Sequence, residues 1–541
     1  MIYLMDSNFI LYSIILFMYA SLSHGLILLN NGLYWDAFMV DSWQRRKDWS
    51  TMKRYLSEVG MPIMYYVYKW NSYFPNRIFA SKFLAFISIY VSSVLIYATS
   101  TYFNFLNSEQ SLLLSLLFLS YTGYHMMVDT VVGLQYTFPI AVFYTAVFLA
   151  FYSNNLYGAE EVLIKIISGV LFFYSFNANS ILVYFFGFLG IFILYQNNWN
   201  ILEINYSLSL LRNIGFILLP FLYWTIKEKF TPRHGYCADY NRINLNLFQI
   251  TFGVFQATRF SLEMAIINPI LFVLRKQMIY IIILIIIGVN YYGNINLILS
   301  SNQALFFVIL GSGLFFLAVI PYILVGQPIN FHGWATKNAM LVHLPSSLIV
   351  FGVISLTIKD PVFFQSILLF YLISTCVFNI RNYFYYLAVF IKDHSWLTKL
   401  KANKSIQEIS IFQVIDKHNL TGDLTHKAQD YRPVYLHFMF DWIWKTEPSR
   451  FGIREYEAKG NYSQIELLEA LEKTTIPYAL KDNINLKSKQ ARIIIKNGVH
   501  NQHYLIIALK YIFSYNIKKY NGRYLENVLE GAADIEIELI E

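Results

Sequence analysis

The chain has 541 residues, of which 56% are hydrophobic, 18% aromatic and only 14% charged. About a quarter of the residues of an average soluble domain are charged, so this composition indicates a membrane protein and argues against a soluble enzyme. The formal net charge of +8 comes without a dense basic tract, which favours contact with lipid head groups or phosphates over nucleic acid. Only Cys237 and Cys376 are present, which excludes a disulfide framework and a cysteine zinc site.

Roughly ten or eleven apolar runs in the first 390 residues are candidates for membrane spans, each of which needs about 20 mostly apolar residues. The first run has no basic segment before it and no small-residue cleavage site after it, so it is predicted to be a retained span. The sequence therefore predicts an all-α polytopic membrane domain over residues 1–390. Its runs lie at 8–28, 79–101, 110–126, 134–152, 161–177, 180–196, 211–226, 277–290, 303–325, 341–358 and 363–390.

After about residue 391 the apolar runs shorten and charges of both signs mix. Residues 391–541, about 150 in number, are enough for a separate soluble domain with its own core. The segments ISIFQVI and ARIIIKNG are predicted strands, and SQIELLEALEKT begins with Ser463 and Glu466 at the spacing of a capping box. The tail is therefore predicted to be a small α/β unit.

Four polar stretches interrupt the apolar runs: a first large loop at 29–78, a second at 227–276, and shorter ones at 123–133 and 326–340. Threading the predicted spans puts all four on one side of the membrane, where they are expected to converge. Because the connectors on the other side carry few basic residues, such as Lys165, Arg212 and Lys359, a count of basic residues favours the cytoplasm for the polar face. Long loops cross the membrane largely regardless of charge, so the side stays open at this point.

The first large loop contains LYWDAFMVDSWQRRKDW. Residues 42–60 alternate apolar and basic side chains at helical spacing, which predicts a helix lying in the membrane interface and ending at Gly60. Asp41 is a candidate N-cap of that helix or a second catalytic carboxylate. Asp36 sits between the first span and this helix, where partial burial would raise its pKa and make it a usable base. The alternative is a carboxylate that only marks the water boundary.

The remaining candidates lie in the other polar stretches. Lys337 and His332 in FHGWATK, and Arg233 and His234 in TPRHGYCADYNR, are candidate phosphate ligands. The alternatives are a lysine whose amine reaches the head groups and an ordinary solvated Arg-His pair. His125 and Asp129 are four residues apart and are favoured as a structural pair. Asp239 is a turn residue or an acceptor contact. Trp334 is a sugar-stacking ring or part of an interfacial aromatic belt.

Several motifs that would indicate other functions are missing from the sequence. It contains no Walker loop, no HExxH motif and no GxSxG motif, which argues against ATP-driven transport and zinc proteolysis. Charged residues are scarce inside the predicted spans, which argues against a proton-coupled pump.

The chain resembles the GT-C class of membrane glycosyltransferases in having an acid just after the first span, a predicted interfacial helix and a C-terminal domain. PYILVGQPINFHGWATKNAMLVHLP and YRPVYLHFMFDWIWKTEPSRFG are also similar to segments of uncharacterised bacterial members. The resemblance implies transfer of a sugar from a polyprenyl-phosphate carrier to a cell-envelope acceptor, with inversion and with Asp36 as general base. It also implies the bacterial inner membrane, with the main loops and the C-terminal domain on the extracytoplasmic side.

The sequence departs from the adjacent acidic residues of many GT-C enzymes, because Ala37 follows Asp36 and the next acid is Asp41. No cofactor or metal site is therefore indicated, and a need for a divalent metal stays open, as does the oligomeric state. Two further hypotheses share the lipid-linked saccharide as partner: a transporter or flippase without bond chemistry, and an O-antigen type polymerase or ligase that depends on loop arginines.

Overall fold

The computed structural model describes the chain in the following segments. They are residues 7–178, 180–197, 199, 209, 211–234, 243, 246–276, 297–327, 333–406, 409, 411–418, 433–444, 451–454, 490–498, 503–516, 527–529 and 531–540. Within these segments the chain is mostly helical, with one small sheet near the C-terminus.

Six described helices are long and apolar enough to cross a membrane, and they indicate an integral membrane protein. A seventh span results if Ser108–Ser120 (α6) is joined to the 3-10 helix Thr122–Val128, which follows it at a bend of 55°. The six are α1 (Asn8–Leu29), α5 (Arg77–Tyr102), α7 (Thr130–Ser153), α11 (Leu247–Arg275), α12 (Ser301–Leu324) and α14 (Pro361–Ala402).

The predicted number of about eleven spans is not confirmed. Four of the predicted runs are helices of only 15 to 17 residues, and the run at 277–290 lies outside the described residues. The four short helices are α8 (Ala159–Ser175), α9 (Ser180–Gln196), α10 (Ile214–Phe230) and α13 (His343–Thr357).

The second large loop, predicted at 227–276, is mostly helix α11, which passes as a membrane span by length and composition. The sequence analysis missed it because charged and amide side chains interrupt the apolar run. Arg259 and Glu263 lie one turn apart and pair with each other at 2.8 Å, so the helix accommodates these charges on one exposed face.

Side-chain caps explain where several helices begin. Asn76 accepts a hydrogen bond from the backbone N–H of Phe79 at the start of α5, and Asp360 accepts one from Phe363 at the start of α14. Asn107 and Ser300 each form a capping box with the glutamine three positions on. These side chains satisfy N–H groups that the first turn of a helix leaves without intrahelical partners.

The single interfacial helix predicted over residues 42–60 is two helices, α2 (Asp36–Arg46) and α3 (Trp49–Glu58). Lys47, with a φ of 55°, ends α2 in the left-handed region, and Asp48 caps α3 by accepting a hydrogen bond from the Thr51 N–H at 3.2 Å. The prediction that Asp41 is an N-cap is therefore wrong. Asp41 lies inside α2, because the helix already begins at Asp36.

The apolar side of α2 packs against the C-terminal domain. Trp43 packs its ring 6.1 Å from that of Phe438, and Phe38 packs 5.8 Å from Trp442. An exposed apolar face occurs instead on α4 (Ile63–Asn71) and continues onto the start of α5. Its exposed side chains are Ile63, Tyr66, Trp70, Tyr73, Phe74, Phe79 and Phe83.

The C-terminal domain contains helices and a sheet, as the sequence predicts, and the sheet has four strands in the order β2-β1-β3-β4. Strand β1 (Ile411–Asp416) pairs in parallel with β2 (Phe451–Arg454) and β3 (Gln490–Asn497), and β3 pairs antiparallel with β4 (Ala533–Ile540). The two predicted strands are β1 and β3. Helices α15 (Pro433–Trp444) and α16 (Tyr504–Asn516) belong to the same region, whereas the predicted helix around Ser463 lies outside the described residues.

Helix α14 crosses the predicted domain boundary at residue 390 and continues to Ala402. Beyond the boundary its buried Lys392 donates a hydrogen bond to Asp416 at the end of β1, at 2.6 Å. The helix thus belongs to the membrane domain at one end and to the core of the C-terminal domain at the other. The two predicted domains are therefore joined by a continuous helix.

Candidate functional site

The candidate site begins where the chain leaves the first membrane span. Lys82 of α5 is fully buried and donates hydrogen bonds to the backbone carbonyls of Asn30 and Gly32, at 2.5 and 2.8 Å. Trp35 follows with a φ of 40°, a region that costs a bulky side chain about 1–3 kcal/mol. The turn that Lys82 holds in place leads directly to Asp36, which is partly buried and is the first residue of α2.

A second carboxylate, Asp129, interacts electrostatically with Asp36. Asp129 is fully buried, and its Oδ1 atom accepts hydrogen bonds from the backbone N–H groups of Val131 and Val132, at 2.7 and 3.3 Å. Burial and then the nearby charge of Asp36 raise the pKa of Asp129 well above its usual value. Its Oδ2 atom is buried and has no hydrogen-bond partner among the described residues, which is unusual for a buried polar atom.

Two lysines complete this group of charges. Lys337, in the 3-10 helix Gly333–Ala339, is partly buried, with its amine 5.9 Å from the centroid of the Tyr136 ring. Burial lowers the pKa of Lys337 to about 8, although Asp36 and Asp129 both attract its charge. Lys82 is the second lysine, and it also interacts electrostatically with Asp129. We refer to Asp36, Asp129, Lys82 and Lys337 as the carboxylate–lysine cluster.

Tyr68 of α4 and Gln135 lie beside the cluster. Gln135 donates a hydrogen bond to the Tyr68 hydroxyl at 2.7 Å, and burial followed by the charges of Asp129 and Asp36 raises the pKa of Tyr68 well above its usual value. Gln135 belongs to a turn of π-helix, Gly133–Thr137, that interrupts the start of α7. Gly133 allows this turn to approach α5 closely, because a Cβ atom there would lie 3.1 Å from the Ser81 carbonyl oxygen.

Asp41 belongs to a different group of charges. It is buried and pairs with Arg45 at 2.6 Å and with Arg77 at 2.5 Å. Arg45 and Arg46 both also pair with Asp441 of α15, which accepts a hydrogen bond from the Ser42 hydroxyl. The arginines that follow the first span therefore join α2 to the C-terminal domain, and Asp41 is part of that junction.

Arg233 and His234 lie at the C-terminal end of α3. The backbone N–H of His234 donates a hydrogen bond to the Glu58 carbonyl at 3.3 Å, and a Cβ atom on Gly60 would lie 3.2 Å from Arg233 Cγ. Burial lowers the pKa of Lys227, and the nearby charge of Arg233 lowers it further. These contacts place the pair against the first large loop, whereas Lys337 interacts with both site carboxylates.

The remaining sequence candidates are placed as follows. His125 is buried, shares a hydrogen bond of 2.7 Å with the Thr122 carbonyl and stacks on Tyr386, so it does not form the predicted pair with Asp129. Trp334 belongs to the same 3-10 helix as Lys337. His332 and Asp239 lie outside the described residues.

The sequence analysis missed Lys82, Tyr68 and Gln135. Lys82 is the one charged residue in the predicted span 79–101, and a charge inside an apolar span is a signal of function or of a buried partner. Tyr68 and Gln135 carry no comparable signal. In the described part of the chain, no three His, Cys, Asp or Glu side chains are grouped so that they could hold a metal ion.

Comparison with known proteins gives no match: no protein-family model, no curated protein sequence and no solved structure is significantly similar to this chain. The resemblance to the GT-C class therefore stays a prediction. The carboxylate–lysine cluster combines a partly buried carboxylate, a group able to act as a base, with lysine charge suited to an anionic group.

Proposed function

We propose that the chain is an integral membrane glycosyltransferase of GT-C type. It transfers a sugar from a polyprenyl-phosphate carrier to a cell-envelope acceptor, on the extracytoplasmic face of the bacterial inner membrane. The observation that carries the proposal is that Asp36 and Lys337, from distant parts of the sequence, interact electrostatically beside Asp129. A base and a phosphate-binding cation are the two groups that this transfer needs.

In the proposed reaction Asp36 takes the proton of the acceptor hydroxyl. The hydroxyl oxygen attacks the anomeric carbon as the bond between that carbon and the phosphate oxygen breaks. The phosphate leaves with the bonding electron pair, and Lys337 stabilises its negative charge. Because the displacement occurs in one step, the anomeric configuration is inverted.

The surroundings of the two acids favour Asp36 over Asp41 as the base. Asp41 lies between two arginines, and both of its carboxylate oxygens are taken up by these ion pairs. Asp36 has Asp129 as a neighbour. Burial first, and repulsion by Asp36 second, raise the pKa of Asp129, so we propose that Asp129 stays neutral while Asp36 carries the negative charge.

Lys82 is proposed to act through position and not through contact with the donor. Its amine donates to the Asn30 and Gly32 carbonyls, which fix the turn that leads to Asp36. The amine of Lys337 lies 5.9 Å from the centroid of the Tyr136 ring, and we propose that it reaches the donor phosphate.

The test uses the purified protein in vesicles with polyprenyl-phosphate carriers that bear labelled hexoses or pentoses. The wild type is expected to form a new glycosidic product, and Asp36→Asn to form it about 10²–10⁴ times more slowly, the usual contribution of a positioned base. Asp48→Asn is the matched control, because asparagine also caps a helix well. Movement of label across the bilayer without any new glycosidic bond would support a flippase instead.

A further inference from the structure

A cavity of about 500 Å³ lies among the membrane helices, within the range of about 300–1,000 Å³ typical of small-molecule sites. It is lined by the C-terminal end of α5 and by residues of α6, α7, α9, α12 and α13. The opposite end of α5 begins at Arg77, which pairs with Asp41 in the first large loop. The cavity therefore lies at the end of α5 away from the carboxylate–lysine cluster.

The lining changes in character along the cavity. Exposed amide side chains from Asn104, Asn302 and Gln303 stand at one end, where α5 has ended and α12 begins. Leucine and aromatic side chains, such as Leu314 and Phe188, line the rest. Every lining side chain that the structure describes is uncharged, so the site suits an uncharged, elongated apolar group with a polar end at the amides.

The length of the cavity matches one leaflet of a bilayer. Gln303 and Leu314 both line it and lie on the same helix, which at 1.5 Å per residue separates them by about 16 Å. Half of a typical hydrocarbon core is about 15 Å. Water is a poor occupant of an apolar cavity, whereas the acyl chains of the surrounding lipid are adjacent to these helices.

We propose that this cavity binds one acyl chain of a bilayer phospholipid, with the polar head group at the Asn104, Asn302 and Gln303 amides. The chain runs along α12 towards Leu314. Bound lipid fills the space beside α9, α12 and α13. The site is separate from the proposed transfer chemistry, so it stands or falls independently of glycosyl transfer.

The experiment uses the full-length protein in phosphatidylcholine vesicles. A phosphatidylcholine with a photoactivatable diazirine near the end of one acyl chain is added, and the crosslinked residues are mapped by mass spectrometry. Crosslinks to Leu314 or Leu348 are expected in the wild type. Leu310→Trp fills the cavity and should abolish them, whereas Ile309→Trp, at a neighbouring side chain that is 63% exposed, should leave them unchanged.

If Leu310→Trp fails to fold, Leu348→Trp provides a second cavity-filling variant, with Val353→Trp on the exposed side of the same helix as its control. Loss of the interior crosslinks in a cavity variant and their retention in its control support the site. Crosslinks confined to outward-facing positions in the wild type overturn the proposal, as do interior crosslinks that persist in a folded cavity-filling variant.

Discussion

Asp129→Asn tests whether the buried carboxyl of the cluster is neutral in the folded protein. Oδ1 of Asp129 accepts two backbone hydrogen bonds, and the amide oxygen of asparagine can accept the same two. Burial and the charge of Asp36 raise the pKa of Asp129 well above its usual value. The substitution therefore replaces a neutral acid by a neutral amide of nearly the same shape.

The size of the effect follows from proton binding. The folded protein holds this proton more tightly than the unfolded chain, in which the pKa of aspartate is about 3.9. The stabilisation of the folded protein by this tighter proton binding is fully present below the unfolded-state pKa. It is lost as the pH rises towards the raised pKa of the folded state. Each pH unit in this window lowers the free energy of unfolding by about 1.4 kcal/mol, and Asp129→Asn removes this loss.

The measurement is the free energy of unfolding in mixed micelles at pH 5 and pH 6. The difference between Asp129→Asn and wild type should shift in favour of the variant over this step, with a limiting slope of about 1.4 kcal/mol per pH unit while the folded carboxyl stays protonated. Asp129→Ala should show the same shift, offset by a constant loss of about 1 kcal/mol for the missing cap. Parallel pH curves for the wild type and Asp129→Asn would refute the neutral, buried state of Asp129.

Three further substitutions test other contacts. Gly133→Ala should lower the melting temperature, because a Cβ atom there meets the Ser81 carbonyl and should cost about 1–3 kcal/mol of unfolding free energy. Gly169→Ala is the control, because Gly169 has open space around it and the substitution should leave the melting temperature unchanged. Equal melting temperatures for the two variants would contradict the close packing at Gly133. Asp441→Asn should release the C-terminal domain to limited proteolysis, since loss of one buried charge partner costs about 3–5 kcal/mol; the exposed Asp534, changed to Asn, costs about 1 kcal/mol or less, and identical digestion of both variants would count against the junction. Lys82→Met should slow glycosyl transfer without weakening donor binding, because it frees the turn before Asp36; loss of donor binding alone would show that Lys82 contacts the phosphate.

Part of the fold and of the site was predictable because it depends on local pattern. The long apolar runs predict α5, α12 and α14, and the β-branched runs predict β1 and β3. Asp36 and Lys337 were both selected as candidates because each adjoins a predicted span. The predicted spans place both segments on one face, but the count of about eleven spans behind that placement is not confirmed.

What could not be predicted depends on partners far away in the sequence. The role of Asp41 depends on Arg77 and on the junction with Asp441, which is 396 residues from Arg45. Without those partners Asp41 matches a helix cap equally well. The role of Lys82 could not be predicted because its partners are backbone carbonyls, which any residue supplies. Tyr68 lies at the site only because of how α4 packs.

The glycosyl-transfer rates of Asp36→Asn and Lys337→Met, measured side by side, test the central claim most directly. The account predicts that Asp36→Asn binds the labelled polyprenyl-phosphate sugar like the wild type but transfers it at least about 100-fold more slowly, whereas Lys337→Met also binds the carrier less tightly. A transfer rate for Asp36→Asn within about twofold of the wild type, far less than a catalytic base contributes, would contradict it.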